Sequence, residues 1–178
     1  MNIGIIVDMQ EDFVNGPLGT LEAKAIVPYI KRVTHSNNFF DMLYFTQDWH
    51  NYSSEYRNLE MNRIPYHCEA NTYGSCVVGG LIDDDIPPHR TLTKNRFGLL
   101  DLPQIIMEES FERGERVNEI HIMGVCTDIC VISNALILRS AFPSTRIYVH
   151  ANGCAGTTPE NHESALKVMQ SCLIDIYE

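Results

Sequence analysis

Residues 119–131 read Glu119-Ile120-His121-Ile122-Met123-Gly124-Val125-Cys126-Thr127-Asp128-Ile129-Cys130-Val131. The opening run, EIHIM over 119–123, is short, apolar and β-branched, and a longer helical pattern follows directly over 127–140. A strand buried on both faces reads as a continuous apolar run, and β–α alternation implies a parallel sheet with right-handed crossovers. The same unit recurs in both directions. Toward the N-terminus lie strands at 3–7 (IGIIV), 42–46 (MLYFT) and 90–93, with helices at 21–33 and at 102–113, the latter ended by Gly114. Toward the C-terminus come a strand at 146–149, a helix at 159–171 capped by Thr157 or Thr158, and a last strand at 172–176. The expected architecture is one domain over residues 1–178, a three-layer α/β/α Rossmann-like fold around a six-stranded parallel sheet. The polar stretch 47–88 is longer than a structural connection needs, and such loops carry function.

Composition narrows the function classes. The 178 residues hold 13 basic against 23 acidic side chains, a formal net charge of −10. No run of Lys or Arg offers the cationic face that nucleic acid or an anionic membrane requires. The first residues lack a basic leader and their apolar stretch is only 3–7, so neither a signal peptide nor a membrane span is expected, and the cytoplasm is the expected location. Six cysteines (Cys68, Cys76, Cys126, Cys130, Cys154 and Cys172) are then expected as free thiols.

In open parallel sheets ligands bind beyond the carboxyl ends of the strands, so polar residues just after a strand are site candidates. That filter returns Asp8 after the first strand, Asp48 and His50 after the second, Lys94 after the third, and Cys126 and Cys130 after the fourth. In the first turn of a helix, Cys130 meets outward backbone N–H groups and the positive dipole end, which lower a thiol pKa and supply oxyanion donors. Alternatives stay open residue by residue. Cys126 competes as nucleophile, or pairs with Cys130 in a C-x-x-x-C metal site; Asp8 caps a turn; Lys94 is solvated; His150, ending the fifth strand, is the best rival base.

Three segments carry a family resemblance: V-D-M-Q-x-D-F at 7–13, K-x-x-F-G at 94–98 and G-V-C-T-D-I-C-V at 124–131. Together they resemble the signature segments of the isochorismatase-like cysteine hydrolases, in the same order and over nearly the whole chain. The resemblance implies an Asp–Lys–Cys triad, with Asp8 as proton acceptor and donor, Lys94 as the cation beside it and Cys130 as nucleophile. It also implies a cis peptide before Cys126, with the N–H groups of Cys126 and Cys130 forming the oxyanion hole. Asp48-Trp49-His50 and Pro65-Tyr66-His67-Cys68 are similar to the D-x-H…P-x-H-C pattern of nicotinamidases. That similarity implies a divalent metal, zinc or alternatively manganese or iron, on Asp48, His50 and His67, with Glu60 as a further ligand.

Phe13 and Trp49 are candidates to sandwich a flat heteroaromatic ring, core packing being the alternative for each. Two departures stand out: Asn71 replaces a Gly of the family pattern, and Asn95-Arg96 follows Lys94 where many nicotinamidases have Ser and an aromatic residue. The implied function is a metal-dependent cysteine amidohydrolase that converts nicotinamide to nicotinate and ammonia through a thioester. The alternatives are a hydrolase of carbamoyl or ureido C–N bonds, or a non-catalytic metal- or thiol-binding protein. The implied partners are a small-molecule amide and further copies of the chain in a homo-oligomer.

Overall fold

A computed structural model describes residues 1–35, 39–55 and 57–178. Its elements run β1 (Asn2–Val7), α1 (Glu11–Val14), α2 (Leu21–His35), β2 (Met42–Asp48), α3 (Leu59–Arg63), β3 (His89–Lys94), α4 (Leu102–Arg113), β4 (Glu119–Val125), α5 (Ile132–Ala141), β5 (Arg146–Ala155), α6 (Pro159–Ser171) and β6 (Asp175–Tyr177). All strand pairings are parallel, in the order β3-β2-β1-β4-β5-β6. The chain builds outward from β1 to β3, then crosses back and starts β4 on the other side of β1.

Strand alternation sends neighbouring side chains of β1 to opposite faces. Ile3, Ile5 and Val7 pack with Leu102 and Ile106 of α4, Ala135 and Leu138 of α5, and Leu166 and Met169 of α6. On the other face Ile6 packs with Phe13 of α1, Ile26 and Ile30 of α2 and Leu43 of β2. Each face of the sheet is covered by helices, which gives the three layers that the continuous apolar runs imply.

Local signals mark the boundaries that sequence located. Gly114 ends α4 in the left-handed region at φ 65°, and the Thr158 side chain caps α6 by accepting from the Asn161 N–H at 3.1 Å. Other boundaries differ. The four-residue α1 was not foreseen, and β6 begins at Asp175 because α6 closes through Cys172 and Leu173, the latter at φ 61°. Between β4 and α5 the chain makes a π-helical turn, Thr127–Val131, rather than a regular first α-turn. β5 runs to Ala155, well beyond residue 149. His150 is therefore a mid-strand residue whose ring meets His121 Nδ1 at 2.8 Å and the Tyr29 hydroxyl at 2.9 Å. That placement removes it as a rival base.

Candidate active site

β1 and β4 are adjacent although the chain reverses its direction of growth between them, and such a switch point opens a crevice at the strand ends. Gly124 makes the approach possible: at φ 128°, a Cβ there would lie 2.1 Å from the Val7 carbonyl oxygen. Asp8 follows directly at φ 51°, Asp48 and Lys94 are the last residues of β2 and β3, and Cys130 lies in the π-helical turn after β4.

Their side chains meet. The Lys94 ammonium donates to Asp8 Oδ2 at 2.6 Å and to Asp48 Oδ1, and lies 3.8 Å from Cys130 Sγ. Thr46 Oγ1 donates to the other Asp8 oxygen at 2.6 Å. Oxygens of Asp8 and Asp48 and the Cys130 sulfur all lie within 4.8 Å of one another. The side chains of Asp8, Asp48 and Lys94 are fully buried. Burial by itself would push the Lys94 pKa down, but Asp8, Cys130 and Asp48 outweigh it and hold the ammonium well above its ordinary range. Burial, and next the Asp8 charge, raise Asp48 well above the usual carboxylate range.

Cys130 reverses an expectation. The position at a helix start argues for a depressed thiol pKa, whereas burial first, and the Asp8 carboxylate second, push it well above the ordinary value, with Lys94 offsetting only part. The thiol is thereby pushed toward its neutral form, with its sulfur within 4.8 Å of an Asp8 oxygen. Cys126, whose preceding peptide is cis, is raised by burial to about 12 and lies half-buried beside it.

The second cluster sits against the first. His50 Nε2 and His67 Nε2 face each other at 3.1 Å, with Glu60 Oε1 3.8 and 3.7 Å away and Asp48 Oδ2 3.9 Å from each. His67 Nδ1 lies 2.7 Å from the Pro65 carbonyl, a partner that puts the proton on Nδ1 and turns the Nε2 lone pair toward the cluster. Burial, then His67, lower the His50 pKa and keep that imidazole neutral. Asp48 Oδ2 is buried without a hydrogen-bond partner among the described residues. Two imidazoles and two carboxylates around an orphaned oxygen are a donor set that fits a divalent ion. Asp48 links the clusters, giving one oxygen to Lys94 and directing the other at the imidazoles. The departure at Asn71 is accommodated, since Asn71 takes the left-handed conformation at φ 63°.

A cavity of about 350 Å³ opens over both clusters, with Cys126 and Cys130 on one side and Glu60 and His67 on another. Phe13, Leu18, Ile64, Phe97 and Ile129 supply its apolar walls, Thr20 and Thr157 its hydroxyls, and among the described residues no Lys or Arg lines it. Phe13 is thus brought to the cavity, 5.3 Å from the His67 ring. Trp49 is not, because it lies between Asp48 and His50, and alternation turns its side chain away from the cluster that both neighbours face.

Sequence reasoning passed over the residues that hold this arrangement. The Gln10 side chain donates to the Asp48 carbonyl at 2.9 Å and accepts from the Asp48 N–H at 2.7 Å. Asn134, one turn after Cys130, donates to the Cys130 carbonyl at 2.8 Å and accepts from the Leu99 N–H at 2.9 Å, tying the Cys130 turn to the loop that carries Phe97. Asp128 accepts from the Thr157 N–H at 2.8 Å and fixes that wall. An Asn at position i+4 from Cys130 was the one available signal.

The family model described as the isochorismatase domain matches residues 3–177. An isochorismatase family protein, PncA of Bacillus subtilis (strain 168), is 26% identical over 174 residues, covering 91% of this chain and 90% of its own. The crystal structure of nicotinamidase/pyrazinamidase PncA from Bacillus subtilis superimposes with a TM-score of 0.82 at 26% identity, covering 99% of both chains. Pyrazinamidase of Pyrococcus horikoshii, crystallised in complex with zinc, superimposes with a TM-score of 0.80 at 26% identity, covering 99% of this chain and 98% of the other.

Proposed function

The chain belongs to the isochorismatase domain family, and from that premise we propose that it is a metal-dependent cysteine amidohydrolase of nicotinamidase type, releasing ammonia from nicotinamide to leave nicotinate. One observation carries the reading: a thiol, a carboxylate and an ammonium are buried within contact distance beneath a cavity whose wall also holds Glu60 and His67 of the metal-ligand set. Similarity to nicotinamidase and pyrazinamidase structures supports it.

In this scheme Cys130 gives its proton to Asp8 as the sulfur adds to the amide carbon. Because burial and the neighbouring Asp8 raise the thiol, a resting thiolate is disfavoured. Proton loss is therefore coupled to C–S bond formation. The N–H groups of Cys126 and Cys130 hold the oxyanion. Asp8 then returns the proton to nitrogen as the C–N bond breaks and ammonia leaves. Water adds to the thioester as Asp8 takes one of its protons, Asp8 passes that proton to sulfur as the C–S bond breaks, and the carboxylic acid departs, losing its remaining proton to solvent. Lys94 keeps its charge throughout. Asp48, His50, Glu60 and His67 would hold a divalent ion, zinc, manganese or iron, which when bound supplies a Lewis-acidic anchor for a ring lone pair. Phe13 and Phe97 offer aromatic surface to a flat ring.

The apolar walls and the aromatic surface of Phe13 and Phe97 favour a flat heteroaromatic ring next to the scissile amide over the aliphatic chain of a carbamoyl amino acid. Ammonia release from nicotinamide tests the reading. The wild type should release it, and Cys130→Ala, folded by circular dichroism, should not. Undiminished release by that variant would overturn the covalent scheme.

A further inference from the structure

Beside the catalytic cavity lies a second, of about 490 Å³, which is bounded by Asn58, Arg63 and Arg96 and shares Glu60, Ile64 and Phe97 with the first. α3 and the loop after β3 form it, joined by the Asn58 side-chain amide donating to the Asn95 carbonyl at 2.6 Å, while Asn58 Oδ1 caps α3 through the Met61 N–H at 2.8 Å. Among the described residues neither guanidinium is engaged by a carboxylate; Arg96 only reaches the neighbouring Asn95 side chain, at 3.4 Å. Arg90 and Arg113, by contrast, both pair with Glu109. The Glu60 carboxylate is turned to His50 and His67, so its charge is engaged there. What sets Arg63 and Arg96 apart is their place: both line one cavity, which adjoins another that no Lys or Arg lines among the described residues. Arg96 is also where the sequence leaves the nicotinamidase pattern.

We infer that this enzyme acts on ring carboxamides that carry an oxyanionic group several bonds from the scissile carbonyl, with the amide against Cys130 and the anion between Arg63 and Arg96. The inference rests on the amidase reading. The guanidinium fork recognises the planar or tetrahedral oxyanion of a carboxylate or a phosphate. The apolar cavity holds the ring, and the shared rim of Ile64 and Phe97 is crossed by the connecting arm.

The test compares pyridine carboxamides bearing a neutral, a carboxylate or a phosphate arm of equal length, with nicotinamide as reference. In wild-type enzyme at low salt, kcat/KM for an anionic arm should exceed that for the neutral arm by about tenfold, the scale of two solvent-facing charge contacts. Whichever anionic arm gives the larger ratio identifies the group. Salt should erode the preference, and Arg63→Ala/Arg96→Ala should bring the ratio near one. Equal rates for charged and neutral arms in wild type, or a preference that survives in the double variant, would overturn the inference. Nicotinamide turnover reports the amidase reading separately. Should no amide be cleaved, that reading fails, and calorimetric binding of the same compounds decides the subsite: tighter binding of the anionic arm that is lost in the double variant upholds it, and equal binding refutes it.

Discussion

Lys94→Met isolates the charge balance on which the site depends. In the native protein one buried ammonium serves two buried carboxyl groups, Asp8 and Asp48, so two acids share a single counter-charge. Methionine keeps the stem's volume and removes the cation. The two carboxylates, whose oxygens come within 4.8 Å of one another, are then left with no counter-charge. Removing one partner of a buried ion pair costs about 3–5 kcal/mol, a large part of a typical domain stability. Part of this is recovered by protonating Asp48, which burial and Asp8 already raise. The sign follows from linkage. A carboxyl whose folded pKa is raised costs nothing below its unfolded value near 4, and costs increasingly as pH climbs toward its folded value. Urea denaturation of metal-free protein should therefore show the variant close to wild type near pH 4 and progressively weaker toward pH 7, while amide turnover is lost at every pH. A variant with the wild-type urea midpoint at pH 7, or one destabilised equally at pH 4 and pH 7, would refute this account of the buried charges.

Three further outcomes are expected. Tyr44 is fully buried and its hydroxyl has no partner among the described residues, so Tyr44→Phe should leave stability unchanged or raise it by about 1 kcal/mol in urea denaturation; a loss above that would reveal a partner for the hydroxyl. Burial, then His121, hold His150 at about 4 against an ordinary value of 6.5, so its contribution is complete above pH 6.5 and is lost as pH falls toward 4; His150→Gln should remove up to roughly 3 kcal/mol of that pH dependence from the denaturation profile. Metal analysis of protein purified without chelator should find one divalent ion per chain. Chelation should lower the melting temperature by the equivalent of about 2.7 kcal/mol for each hundredfold excess of free ion over Kd, and Asp48→Ala should abolish that response.

Much of this protein is legible in its sequence because the fold rests on local signals. Apolar runs bounded by caps and glycines identify strands and helices, and alternation of the two makes the sheet parallel. The rule that ligands gather at carboxyl strand ends then selects Asp8, Asp48, Lys94 and Cys130. What sequence could not supply depends on distances across the chain and on burial. Trp49 and Phe97 are both aromatic residues in loops that follow strands, yet only Phe97 lines the cavity, because alternation turns one away and Asn134 holds the loop of the other in place. Asp128 had no signature and Asn134 only its place four residues after Cys130, since each acts on a segment that the sheet brings to it.

The sequence by itself therefore determined the layered parallel architecture and the identities of the chemical groups, since periodicity, capping and residue type are written locally. The tertiary structure alone decided that Lys94 bridges two carboxylates, that burial and Asp8 raise the Cys130 thiol, and that Arg63 and Arg96, engaged by no carboxylate among the described residues, line the neighbouring cavity. Protonation and pairing depend on which groups burial forces together, and residues 46 and 86 positions apart meet only once the sheet is assembled.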